Sequence, residues 1–195
     1  MHASGTYDFP FGRGRKFLNQ SKLANATVGG WTLGTIVTWE SGEPHLLSGG
    51  TATWNGNGNS GIELIGITAK DLQRSIGRHN VPGKGYVQML DPKYLQANGS
   101  ANPAYITPEY TPGKIGQLVW LHSPTNFNTD LSLTKLVPVY TDRVNLKLQG
   151  VFLNAFNHVS WTGMNGSIQS TTFGTTSSVF GSGARQIEIR ADLTF

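Results

Sequence analysis

The last ten residues of the chain alternate strictly between apolar and polar side chains. The apolar positions are Ile187, Ile189, Ala191, Leu193 and Phe195. The polar positions are Gln186, Glu188, Arg190, Asp192 and Thr194. A period of two places successive side chains on opposite faces of a β-strand. The end of the chain therefore predicts a strand whose sheet has one apolar face and one polar face.

A second alternating segment spans 143–156. Its apolar side carries Val144, Leu146, Leu148, Gly150, Phe152 and Phe156, and its polar side carries Arg143, Asn145, Lys147 and Gln149. A strand in a globular protein usually has about five or six residues, whereas a tilted membrane-crossing strand needs roughly nine to eleven. The length of this segment favours a membrane-spanning wall. If it pairs with the last strand, its apolar residues share a face with Ile187, Ile189, Leu193 and Phe195, and Lys147 and Arg190 lie opposite.

Three weaker alternating segments complete the pattern, one of them interrupted on its apolar side by Lys135. The predicted strands are 2–9, 30–41, 126–137, 143–156 and 184–195. The connections are unequal, with a tight turn at 138–142 and a very long loop at 42–125, in which 68–76 predicts a short helix capped by Thr68. Short turns at one rim and long loops at the other are typical of outer-membrane barrels. The predicted fold class is all-β, an antiparallel transmembrane β-barrel segment of about five long strands.

Composition supports an all-β chain and excludes a helical bundle. Glycine is abundant, with 25 residues, and only 13% of residues are charged. The net charge of +4 is too small for a nucleic-acid partner to be expected. The chain has no cysteine and no apolar run long enough for a transmembrane helix. The first nine residues lack the basic start and apolar core of a secretory signal.

Patterns for catalysis and for metal or cofactor binding are missing from the sequence. The histidines that could bind metal are never at ligand spacing, and neither HExxH nor GxSxG occurs. The Gly83-Lys84 pair is not a phosphate loop, because Arg78 stands where the first glycine of that motif would be. We therefore expect no enzymatic activity, no cofactor and no metal site.

Short segments along nearly the whole chain resemble one family. They are YDFPFGRGRKF at 7–17, GGW at 29–31, TWESGEP at 38–44, TAKDLQ at 68–73, LDPKYL at 90–95, PGKIG at 112–116, NTDLSLTK at 128–135, FLNAFNH at 152–158 and the ending at 184–195. In this order they resemble the C-terminal barrel region of the large TonB-dependent, Oar-like outer-membrane receptors of the acidobacterial type. The resemblance covers residues 1–195 as one barrel region.

The resemblance implies a receptor with a plug that carries a TonB box and a barrel of about 22 strands. This chain would then be the last part of the barrel in a Gram-negative outer membrane, because five strands cannot close a barrel. The implied partners are outer-membrane lipid, the rest of its own barrel and plug, TonB through that plug, the barrel-assembly machinery and an unknown extracellular substrate. The implied function is active transport.

The same resemblance suggests roles for several residues. Phe195, a terminal aromatic, would be the assembly signal, although it could also simply end a core strand. Lys147, Glu188, Arg190 and Asp192 are candidates for lining the lumen, or for an ordinary water-facing sheet surface. The candidate ligand contacts in the loops are the aromatic residues Trp54, Tyr86, Tyr94 and Trp120, which could instead anchor the loop to itself. The alternative to a transporter is a secreted carbohydrate-binding β-sandwich.

Overall fold

The computed structural model describes residues 1–12, 14–18, 26–50, 60–140, 144–181 and 183–195. The strands are β1 (His2–Asp8), β2 (Trp31–Glu40), β3 (Pro44–Leu46), β4 (Ile62–Leu64), β5 (His79–Asn80), β6 (Val87–Gln88), β7 (Ile106–Pro108), β8 (Trp120–His122), β9 (Asn126–Tyr140), β10 (Val144–Leu153), β11 (Trp161–Thr162), β12 (Thr175–Thr176), β13 (Ser178–Val179) and β14 (Gln186–Thr194). The helices with complete bounds among the described residues are α1 (Ala69–Ser75) and a short 3₁₀ helix (Pro92–Tyr94), and residues 26–28 are also helical. No helix among the described residues is both long and apolar enough to cross a membrane.

The chain divides into two compact units. The first, here called the sheet unit, comprises 1–40, 127–159 and 181–195. The second, the loop unit, comprises 41–126 and 160–180.

The sheet unit contains one five-stranded sheet in the order β1-β2-β9-β10-β14. β1 pairs antiparallel with β2, and β10 pairs antiparallel with both β9 and β14. β10 and β14 have 10 and 9 residues, within the roughly nine to eleven that a tilted strand needs to cross a membrane, and β9 exceeds this length with 15. The sheet formed by the described residues is open, with β1 and β14 as its outer strands, and is not a closed barrel.

Two strand ends differ from the sequence prediction by three residues each, and the other ends differ by at most two. β9 continues to Tyr140 instead of ending at 137, and the rest of the predicted turn, 141–143, lies outside the described residues. β10 ends at Leu153, three residues early, because Asn154 and Asn157 adopt positive φ angles of 50° and 53°. This left-handed conformation is incompatible with an extended strand, and asparagine tolerates it better than most residues.

The described part of the segment predicted as a very long loop is a folded structure. All the buried hydrophobic residues of the described chain lie in the loop unit, and they form one core of Leu47, Ile62, Leu72, Val87, Met89, Leu90, Tyr94, Ala101, Ile106, Val119, Leu121, Met164, Ile168 and Phe173. Short antiparallel pairs frame this core, including β3 with β8 and β4 with β7. Next to the first pair, the Ser123 amide donates to the Glu43 carbonyl at 3.0 Å.

Helix α1 forms where the sequence predicts it. Thr68 is its N-cap, and the Thr68 side chain accepts from the Asp71 amide while the Asp71 carboxylate accepts from the Thr68 amide at 2.9 Å. This reciprocal capping box satisfies two helix-end donors. The hydrogen bonds from Thr68 hold the pKa of Asp71 below its ordinary value. Leu72 on the inner face of the helix is fully buried in the core.

The core predicts a clear outcome for truncation of its largest fully buried side chain. Phe173→Ala should destabilise the loop unit by about 3–5 kcal/mol, because it removes a buried ring and leaves a cavity. Limited proteolysis of the full-length protein measures this as faster cleavage within the loop unit. Tyr110→Ala is the matched control, because Tyr110 is 65% exposed and its loss should leave the cleavage rate near that of the parent. Equal protease resistance of the two variants would contradict the assignment of this core.

Candidate functional site

The sheet unit separates apolar from polar side chains by the pairing of its strands. Residues directly opposite each other in an antiparallel pair point to the same side of the sheet. Leu146 is opposite Leu193, Leu148 opposite Ala191, Gly150 opposite Ile189, and Phe152 opposite Ile187. β9 adds Leu131, Leu133 and Val137 to the same side. The predicted sharing of one face is therefore confirmed for Leu146, Leu148, Phe152, Ile187, Ile189 and Leu193, and we call it the apolar face. Val144 and Phe195, which the sequence also predicts to belong to it, lie outside the register that pairs β10 with β14.

The apolar face is open at its C-terminal strand. Ile189 is 82% exposed, and Ile187 and Leu193 are each 57% exposed. Large apolar patches of this kind are rare on proteins surrounded by water and mark surfaces that contact lipid or another apolar partner. On β14 the alternation of apolar and polar residues is unbroken, so every apolar side chain of this strand lies on the same face.

The other side, the polar face, carries the charged residues singled out in the sequence. Lys147 is opposite Asp192, and Gln149 is opposite Arg190. Arg190 donates through Nε and Nη2 to the two carboxylate oxygens of Glu188 at 2.6 and 2.9 Å. The pair is bidentate because residues two apart in a strand project from the same face. The structure thus brings Lys147, Glu188, Arg190 and Asp192 to one face, opposite the exposed apolar side chains.

The polar face is also concave. A groove of about 560 Å³ lies on it, and the lining mixes small polar residues with apolar ones, among them Ser4, Thr6, Ser132, Ile36, Val151 and Leu153. Gly34, which also lines this groove, lies so close to Ser132 that a Cβ atom would be 2.5 Å from the Ser132 Oγ. In a barrel the concave side of the wall faces the interior. The face that carries the charged residues is therefore also the face that carries this groove.

Lys135 interrupts the apolar side of β9, as its position in the sequence indicates. It is opposite Leu148, and only 6% of it is exposed. Its ammonium donates to the carbonyl oxygens of Thr27 at 2.7 Å and Gly29 at 3.1 Å, and it lies 4.9 Å from the centre of the Trp31 ring. A lysine stem can cover apolar surface while its charged end finds polar partners. Two backbone carbonyls and the Trp31 ring therefore stabilise the ammonium charge of Lys135.

Asn154 is the organising residue that the sequence analysis missed. Its amide donates to Asp130 Oδ1 at 2.8 Å, and its side-chain Nδ2 donates to the carbonyls of Gly183 at 2.8 Å and His158 at 3.0 Å. The Asn154 Oδ1 accepts from the His158 amide at 2.8 Å. Asn157 accepts from the Arg185 amide at 3.0 Å. These bonds fasten the end of β10 to β9 and to the start of β14. The FLNAFNH segment at 152–158 was the sequence feature that could have indicated this role. In the structure its two asparagines hold neighbouring strand ends together.

Phe195 directly follows β14 and is 95% exposed. Truncating it would therefore remove very few contacts within the described chain.

The loop aromatics have different environments. Trp54 lies outside the described residues. Tyr94 is only 3% exposed and packs edge-on against Tyr105, with ring centres 5.5 Å apart, so its ring belongs to the core and fits the alternative in which these aromatics anchor the loop. Trp120 on β8 is 54% exposed. Tyr86 is half-buried and lines a polar groove.

Two histidines that are distant in sequence come onto neighbouring strands. His45 lies on β3 and His122 on β8, and His45 Nε2 lies 2.8 Å from Ser123 Oγ and accepts from the Met164 amide at 3.4 Å. Burial lowers the pKa of His45, which agrees with an acceptor role for its neutral ring. Among the residues that the structure describes, no group of three or more acidic or histidine side chains is placed to hold a metal ion.

Comparison with known proteins gives one match. A family model described as an outer membrane beta barrel domain matches residues 1–188. No curated protein and no solved structure matches the chain.

Proposed function

Because the chain belongs to the outer membrane beta barrel domain family, we propose that it is a wall segment of a TonB-dependent, Oar-like active transporter of Gram-negative bacteria. Family membership points to the outer membrane. The finer assignment is supported by the order of the short sequence segments that resemble these receptors.

The observation that carries the proposal is the open, two-faced sheet. Its outer strands, β1 and β14, each leave one edge unpaired among the described residues. In a hydrocarbon environment each unsatisfied backbone group costs several kcal/mol. We therefore infer that further strands of the same barrel pair with these two edges. The resemblance to TonB-dependent receptors implies that the complete protein also has a plug.

In this proposal each part of the chain has a distinct role. The apolar face contacts outer-membrane lipid, and Lys147, Glu188, Arg190 and Asp192 line the water-filled lumen. The loop unit faces the exterior and meets the substrate, while TonB acts through the plug. Phe195 is the signal for the barrel-assembly machinery. The segment itself is non-catalytic and has no nucleic-acid partner.

The alternative, a secreted carbohydrate-binding β-sandwich, has less support from the structure. A sandwich buries the apolar face of one sheet against a second sheet about 10 Å away. Ile189, at 82% exposure, and its neighbours on β14 are not covered in this way.

Binding of TonB tests the finer part of the proposal. The full-length protein, purified from outer membranes in detergent, should bind the purified periplasmic domain of TonB with one-to-one stoichiometry. A variant lacking its TonB box should lose this binding while still migrating as a heat-modifiable barrel. If the heat-modifiable protein fails to bind TonB, it is an outer-membrane barrel but not a TonB-dependent transporter.

A further inference from the structure

A groove on the loop unit has a lining suited to one class of ligand. Its volume is about 470 Å³, and it is open to solvent at Thr172, Ser177 and Ser178. The lining consists of Tyr86, Asn165, two glycines and five residues with aliphatic hydroxyl groups. The groove therefore combines one aromatic ring with a high density of neutral hydrogen-bonding groups.

The floor of this groove is held by internal hydrogen bonds. The Thr176 hydroxyl donates to the Thr162 carbonyl and accepts from the Ser178 amide. The Thr175 hydroxyl donates to the Thr172 carbonyl at 2.8 Å. Asn165 Nδ2 donates to Thr172 Oγ1 at 2.9 Å. These contacts fix the backbone and the buried threonines before any ligand arrives, which lowers the entropic cost of binding.

Other polar groups of the lining remain available. Within the described residues, the hydroxyls of Tyr86, Ser177 and Ser178 have no hydrogen-bond partner, and both serines are exposed. Each hydroxyl can donate one hydrogen bond and accept two. A ligand that carries many hydroxyl groups of its own would match this surface.

The absence of charged residues among the described lining residues restricts the class of ligand further. None of the lining residues is acidic or basic, so a charged group would lose water without gaining an ionic partner. An aromatic ring next to neutral hydroxyls offers a stacking surface for the apolar CH face of a sugar ring.

We propose that this groove is a binding site for a neutral oligosaccharide. The Tyr86 ring stacks on one sugar, and the Ser177 and Ser178 hydroxyls exchange hydrogen bonds with its hydroxyl groups. The groove's access to the cell exterior rests on the proposed transporter function, whereas its affinity for sugar rests on the lining alone.

Calorimetric titration of the full-length protein in detergent tests the site. The probes are maltohexaose, cellohexaose and xylohexaose, with the anionic hexagalacturonate as a charge control. At least one neutral probe should bind, and Tyr86→Ala should weaken its association by about tenfold through loss of the stacking surface. Tyr110→Ala, which removes an exposed aromatic of the loop unit outside the groove, should bind as the parent does.

A second pair of variants separates loss of the site from loss of folding. Ser177→Trp adds a bulky side chain at an exposed position of the groove and should block binding, whereas Gln117→Trp adds the same side chain at an exposed position elsewhere and should not. Three results would overturn the proposal: no neutral probe binds, hexagalacturonate binds best, or both groove variants bind as the parent does. TonB binding by the same preparation distinguishes these failures from failure of the transporter assignment.

Discussion

Ile189→Lys should reduce the amount of protein in the outer membrane by an order of magnitude or more, whereas Val151→Lys should be tolerated. Ile189 is near the middle of β14, on the apolar face, and is 82% exposed. A lysine facing lipid near the bilayer midplane of a barrel costs about 2–4 kcal/mol. Val151 lies on the polar face directly opposite Glu188, so a lysine there is hydrated and meets a carboxylate of opposite charge.

The measurement is the heat-modifiable fraction of full-length protein in isolated outer membranes. Ile189→Leu controls for the loss of the native side chain, because it keeps the apolar volume, and it should accumulate normally. Equal abundance of the two lysine variants would show that the two faces of β14 do not meet different environments, and the apolar face could not then be the lipid surface.

Phe195→Ala should lower outer-membrane abundance several-fold while leaving each assembled molecule functional. Phe195 is 95% exposed, so its truncation removes few folded-state contacts and should change the stability of the finished barrel little. A large loss of abundance would then have to arise earlier, when the assembly machinery recognises the last strand. Phe195→Tyr keeps an aromatic ring at the terminus and should behave as the parent does.

Phe156→Ala is the matched control for this experiment. Phe156 is also an exposed phenylalanine of the sheet unit, at 70%, but it lies outside the terminal strand. Surface abundance and TonB binding per assembled molecule are compared for the three variants and the parent. If Phe195→Ala has unchanged abundance but altered TonB binding, Phe195 is not an assembly signal.

The faces of the sheet could be predicted because strand alternation is a local property. In 186–195 the polarity of each side chain indicates the face on which it lies. A register shift of one residue would have placed Arg190 among isoleucines. The fold of the loop unit could not be predicted in this way. Ile62–Leu64 and Ile106–Pro108 form strands of only three residues, too short to show a period, and they pair across a long stretch of chain.

The environments and partners of several individual side chains could not be predicted for a related reason. Tyr94 looks like an exposed loop aromatic in the sequence, and only contacts with distant residues such as Tyr105 reveal that it belongs to the core. The roles of Asn154 depend on the Asp130 carboxylate and on the Gly183 carbonyl, which no local pattern brings close. Lys135 was visible as an exception in the alternation, but its carbonyl partners near residue 28 were not.

The hydrogen bond between Ser123 and Glu43 lowers the entropic cost of pairing β2 with β9. A flexible connection between two neighbouring strands loses conformational freedom when its ends meet, and this loss grows with the logarithm of its length. Here the described part of the segment between β2 and β9 is folded, and the two ends of the segment are joined by a 3.0 Å hydrogen bond beside the β3–β8 pair. To the two strands, the connection therefore acts as a short and already closed link, despite the length of sequence that it contains.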